Sequence, residues 1–170
     1  MLKFLEKPNS PPLGQLDPSS MFIEKPTVKH FNAVKQIMRY LKGTLNFGLV
    51  YTQEMKQEVL VGYPGSDSGG DVMGRRSTDG MDFYLNEALI TWNSHKEKTV
   101  TLSSCEAEFM AATTAAKQAL WLRNLLREIT ATKPKSVTLF VYNNSTIALM
   151  KNHVFHGCSK HIDVKFHFIR

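Results

Sequence analysis

A chain of 170 residues that is 42% hydrophobic and 21% charged has the length and apolar content of one globular domain of ordinary size with a short extension. Its formal net charge of +6 favours a polyanionic partner without choosing one. Cys105 and Cys158 are too few for a disulfide framework, no run of about 18 apolar residues occurs, and the first residues lack a signal-peptide pattern. The disulfide-rich and membrane-spanning classes are thereby set aside, and a soluble protein of a reducing compartment, cytoplasm or nucleus, is expected, with no membrane partner.

Residues 1–26 hold five of the seven prolines and show neither helical nor strand periodicity, so irregular linker or degraded sequence is expected there. From Thr27 to Leu41 the apolar residues Phe31, Val34, Ile37, Met38 and Leu41 recur at helical spacing, with Pro26 and Thr27 at the start and Gly43 at the stop. Lys35, Arg39 and Lys42 on its outer face either track a phosphate backbone or form a solvated face. Four β-type runs follow, "FGLVYT", "EVLVGY", "GMDFYL" and "ALITWNS", the last two joined by "NE" as in a hairpin. "TLSSCEAEFMAATTAAKQALWLRNLLREIT" predicts a long helix from about Ser103 to Ile129, with Ser103 and Glu106 spaced as a capping box. "SVTLFVY" then predicts a buried strand, "NSTIALMKN" a short helix, and "SKHIDVKFHFIR" a strand end turning into a helix cut off by the chain terminus. The order implies an α/β fold whose mixed sheet carries the long helix on one face.

Several residues could carry chemistry. "LVGYPGSDSGGD" runs from an apolar strand into a turn holding Asp67 and Asp71, a position from which acids often bind metal. In the long helix, the apolar stripe of Ala112, Ala115, Ala116, Ala119, Leu122, Leu126 and Ile129 leads back by four residues to Glu108, so a carboxylate opens the buried face. Burying it without compensation would cost several kcal/mol. It is either a site residue or a helix N-terminal charge favoured by the dipole, whereas the cap explains Glu106. Asp163 is either a site acid or the N-cap of the last helix. His153, His156, Cys158 and His161 are dense enough to suggest zinc, but their spacing matches no zinc motif and a His-rich loop fits better. Cys105 sits in a helical first turn with no inferable histidine partner, which disfavours a thiol nucleophile. No phosphate-loop, dinucleotide, serine-hydrolase or zincin motif occurs.

The run "RRSTDGMDFYLNEALITWNSHKEKTVTLSSCEAEFMAATTAAKQALWLRNLLREI", followed in order by "NNSTIALMKNHVFHGCSKHIDVKFHFIR", closely resembles the ribonuclease H domain at the end of copia-type retrotransposon Pol polyproteins. "HFNAVKQIMRYLKGTLNFGLVY" resembles the segment joining the reverse transcriptase to that domain, so the likeness spans residues 27–170. The resemblance implies a division into residues 27–46, a helical remnant of that connection, and residues 47–170, a ribonuclease H-like domain with a truncated final helix. It also implies an endonuclease that cuts the RNA strand of RNA-DNA hybrids with two Mg²⁺, or Mn²⁺, held by four carboxylates. Hard cations about 3.5–4 Å apart would clamp the attacking and leaving oxygens.

Carried over by position, the resemblance puts the helix acid on Glu108 and the last acid on Asp163. The family's first-strand motif reads like "GYSDADWAGD" against "GYPGSDSGGD" here, so the leading aspartate falls on Gly65, while Asp67 keeps the second. A later "LYCDNQSAIAL" aligns with "LFVYNNSTIAL" and puts the remaining acid on Tyr142. Two of four ligands are therefore lost. Asp67 is a substitute only after a local chain shift, because residues two apart on a strand lie about 6.6 Å apart. The expectation is a catalytically disabled domain with weak or absent metal binding, and with no reverse transcriptase motif for DNA synthesis. Three alternatives stay open: a non-catalytic module that binds hybrid or duplex through Lys35, Arg39, Lys42, Arg75 and Arg76, a domesticated protein-interaction domain with an unknown partner, and a functionless relic.

Overall fold

The computed structural model describes residues 2–6, 25–51, 59–68, 75–131 and 136–151. The chain divides into two compact units, one of residues 10–50 and one of residues 1–9 with 51–170. The first residues are thereby grouped with the larger unit.

In the smaller unit, helix α1 (Val28–Gly43) begins where the sequence predicts it. Thr27 Oγ1 accepts from the His30 backbone, and His30 Nδ1 accepts from the Thr27 backbone at 3.2 Å. This reciprocal cap satisfies two N–H groups that the first turn leaves without helical partners. The Thr44 hydroxyl donates to the Tyr40 carbonyl at 3.0 Å and closes the other end. Lys35 Nζ lies 4.5 Å over the Phe31 ring, a cation–π contact one turn apart. The expected strand "FGLVYT" does not form across its described residues, 47–51. Phe47 and Val50 are exposed there, and strand propensity without a ladder partner does not make a strand.

The larger unit is built on a five-stranded mixed sheet, ordered β1-β5-β2-β3-β4 among the described residues. Strands β2 (Leu60–Asp67), β3 (Thr78–Leu85) and β4 (Ala88–Lys96) form the expected antiparallel meander. Asn86 turns the β3–β4 hairpin in the left-handed region, φ 57°, which asparagine tolerates better than most residues. Strand β5 (Val137–Val141) pairs parallel with β2 through Val61↔Thr138 and Gly62↔Leu139. Pro64, with no N–H to give, lies beyond that stretch of pairing.

Residues 2–6 correct the expectation of an irregular start. Strand β1 (Leu2–Glu6) adds to the sheet edge parallel to β5, in register from Leu2↔Val137 to Glu6↔Val141. Leu2 and Phe4 alternate inward onto the core while Leu5 faces out.

Helix α2 (Ser104–Thr130) covers one face of the sheet. Ser103 Oγ accepts from the Glu106 backbone at 3.1 Å, as the capping pattern predicts. The Glu106 carboxylate reaches one residue further back than expected and accepts from Leu102 N at 2.7 Å. Ala115, Ala116 and Ala119 have no exposed surface and let the helix approach Phe83, Val137 and Leu139 closely. The apolar stripe outruns the sheet, leaving Leu126 half-buried and Ile129 exposed. Helix α3 (Asn144–Lys151) packs Ile147 and Met150 on Phe109, Ala112 and Val141 in a second cluster. Phe4 touches both clusters. The predicted last helix lies outside the described residues.

Candidate active site

Three of the residues that the sequence singles out, Gly65, Tyr142 and Glu108, lie near the C-terminal ends of β2 and β5 and the first turns of α2. Glu108 is half-buried, and its Oε2 accepts from the backbone N–H of Asn143 at 3.1 Å. Burial pushes its carboxyl above the ordinary range, and the Asn143 N–H partly offsets that by favouring the charged form. Asn143 also caps α3, its Oδ1 accepting from Ser145 N at 2.8 Å. One residue earlier, Tyr142 leaves the end of β5 with its ring toward β2. A Cβ placed on Gly65 would lie 3.8 Å from Tyr142 Cε2. The Gly65 position thus faces the Tyr142 ring, and the next residue, Asn143, bonds to Glu108.

Asp67 ends β2, exposed and paired with Thr78. It lies two residues beyond Gly65 on an extended strand, in regular register with β3. Asp163, and with it His153, His156, Cys158 and His161, lies outside the described residues. Cys105 is a half-buried free thiol that accepts a long contact, 3.5 Å, from the Thr146 hydroxyl, an arrangement that belongs to packing of α3 on α2. Arg75 and Arg76 are exposed ahead of β3, with Arg75 at φ 50°. Lys35, Arg39 and Lys42 belong to the other unit. Asn143 was not singled out by sequence reasoning; its place directly after an apolar strand and before a short helix was the signal that could have marked it as a cap.

A pair of Mg²⁺ ions takes its protein ligands from several carboxylate oxygens at about 2.0–2.1 Å. At this edge the described residues offer one carboxylate, Glu108, already accepting a backbone N–H, beside a glycine and a phenol. That donor set does not fit two divalent ions. Among the described residues, the groups at this edge can accept or donate hydrogen bonds and supply that one carboxylate.

No protein-family model matches the chain. It is 38% identical over 151 residues to the retrovirus-related Pol polyprotein from transposon TNT 1-94 of Nicotiana tabacum, a match covering 89% of this chain and 11% of that protein. The Pol polyprotein from transposon RE1 of Arabidopsis thaliana is 35% identical over 151 residues, covering 89% and 10%. The secreted RxLR effector protein 161 of Plasmopara viticola is 44% identical over 103 residues, 61% of this chain and 72% of that protein. The chain therefore spans about a tenth of the length of the Pol polyproteins it matches.

Proposed function

Because the chain belongs to the family of copia-type retrotransposon Pol polyproteins, we propose that it is a ribonuclease H-like domain whose hybrid-cleaving site is disabled. The mixed sheet, with a three-strand meander, a long helix and a further strand parallel to β2, supports the fold assignment. The observation that carries the functional reading is that a side chain at Gly65 would meet the Tyr142 ring, one residue from the Asn143 N–H that Glu108 accepts. Positions that the resemblance assigns to two separate metal-binding acids lie against each other in space, next to a retained acid, and neither is a carboxylate. Agreement between an alignment and a contact the alignment did not use supports both.

The test is cleavage of a labelled RNA-DNA hybrid with Mg²⁺ or Mn²⁺. The unmodified chain is expected to give none above background, and the double variant Gly65→Asp, Tyr142→Asp to gain metal-dependent cleavage that Glu108→Gln then removes. The 3.8 Å spacing at Gly65 is ordinary van der Waals contact, so a side chain enters without forcing the strand apart. Cleavage by the unmodified chain that disappears in Glu108→Gln overturns the reading.

A further inference from the structure

A group of side chains of metal-ligating type lies elsewhere on the sheet, in residues the resemblance does not assign. The β3–β4 ladder pairs Asp79 with His95, and Glu97 continues the pairing beyond β4 through its N–H to the Ser77 carbonyl at 2.8 Å. Residues two apart share a face, so Asp79, His95 and Glu97 project together. One ligand atom from each lies within 4.8 Å of the others, and His95 Nε2 is 3.7 Å from Glu97 Oε1. Asp79 is 2% exposed and Glu97 7%, whereas His95 opens to solvent. On the neighbouring strand Ser66 pairs with Asp79, and its buried Oγ has no hydrogen-bond partner among the described residues.

We propose that Asp79, His95 and Glu97 form a binding site for one divalent transition-metal ion, with Zn²⁺ the best match. Two carboxylates held this close inside a protein repel each other, and one divalent cation compensates both. An ion central to three atoms no more than 4.8 Å apart is at most about 2.8 Å from each, so closing to the roughly 2.0–2.2 Å of Zn–N and Zn–O bonds needs side-chain shifts under about 1 Å. The imidazole selects against Mg²⁺, which prefers oxygen ligands and retains its waters, and favours the later first-row ions. The open side at His95 leaves room for water, and Ser66, paired with Asp79, brings a buried hydroxyl to the same face of the sheet. Asp79 and Ser66 lie on the face of the sheet opposite to Gly65, since neighbours along β2 alternate. The site is therefore separate from the Gly65–Tyr142 contact and does not depend on the nuclease reading.

The experiment is titration of the chelator-stripped full chain with Zn²⁺ against a chromophoric indicator, with the visible spectrum of bound Co²⁺ as a second readout. One ion per chain is expected, with a Co²⁺ spectrum free of thiolate charge transfer. His95→Gln, at an exposed position, should keep the circular dichroism of the parent and weaken Zn²⁺ binding by roughly 10- to 100-fold or more, the loss that removing even a supporting group produces. Glu97→Gln should do the same, and Glu108→Gln should change nothing. A variant lacking the His153, His156, Cys158 and His161 side chains should keep the ion. Absence of Zn²⁺ binding by the folded chain overturns the proposal. So does binding that survives His95→Gln but is lost from the four-residue variant.

Discussion

Glu108 Oε2 and the backbone N–H of Asn143, 3.1 Å apart, join the start of α2 to the end of β5. A carboxylate serves this bond, but so does the carbonyl of a glutamine, and burial raises the Glu108 pKa despite the bond. A carboxyl whose folded pKa lies above its unfolded value favours folding most when protonated. Its contribution is complete below the unfolded value near 4.5 and is lost as pH rises through the folded one. Glu108→Gln should therefore melt at a higher temperature than the parent at neutral pH, with the difference vanishing on acidification. Melting curves of both proteins across that range check it. A variant that melts lower at neutral pH would mean that the charge is held by a cation at this edge, contrary to the disabled site inferred here.

Of the two glycines in β2, Gly62 has the tighter surroundings. A Cβ there would sit 2.6 Å from both Leu139 Cδ2 and Phe83 Cε1. These are side-chain ends, which yield easily at a surface, but Leu139 and Phe83 have no exposed area and nowhere to go. Gly62→Ala should destabilise the larger unit by about 1–3 kcal/mol, the usual cost of overpacking a filled core. Gly65→Ala, with only the Tyr142 ring at 3.8 Å, should cost far less. Denaturant midpoints of the two variants provide the comparison.

Elements whose signals are local were legible in the sequence. The caps at Thr27 and Ser103, the turn at Asn86 and the alanine stripe of α2 all depend on neighbours within a few residues, and each stands where the sequence puts it. Long-range pairing was not legible. "LKFLE" at 2–6 and "FGLVY" at 47–51 have comparable strand character, yet the first finds the edge of β5 and the second has no strand partner among the described residues. At the candidate site, Glu108 was visible from helical periodicity, and its neighbours Gly65 and Tyr142 only through resemblance. The Asp79–His95 juxtaposition needed the hairpin register, which the irregularity between Phe83 and Tyr84 shifts from what a simple count across the turn gives.

Strand β1 should contribute stability through Phe4 rather than through its full length. Phe4 is half-buried and touches both core clusters, whereas Leu5 is 48% exposed on the outer face. Phe4→Ala should cost about 1–3 kcal/mol, less than the roughly 3–5 kcal/mol of a fully buried phenylalanine, and Leu5→Ala close to nothing. Loss of β1 pairing would also free the outer backbone groups of β5, so amide exchange at residues 137–141 should quicken in Phe4→Ala and not in Leu5→Ala. Equal effects from the two variants would mean that β1 is not seated in the register given by Leu2↔Val137.

The formal charge of +6 favours a polyanionic partner, and on the proposed reading the acids replaced at positions 65 and 142 would also lessen repulsion of phosphate. Binding of this kind is driven by counterion release, so affinity for an RNA-DNA hybrid should fall steeply between about 50 and 200 mM salt. The exposed Arg75 and Arg76 belong to the unit that holds the sheet, whereas Lys35, Arg39 and Lys42 belong to the helical one. Replacing each group by glutamine and measuring the slope of log affinity against log salt separates them, each lost phosphate contact lowering the slope by up to about 0.9. A smaller slope in Arg75→Gln, Arg76→Gln alone places the nucleic acid on the sheet unit. A smaller slope in the helix variant alone places it on α1, leaving the domain proper with no nucleic-acid role. Affinity that is unchanged by salt in the parent removes phosphate recognition altogether, and with it the reading of this chain as a binding module.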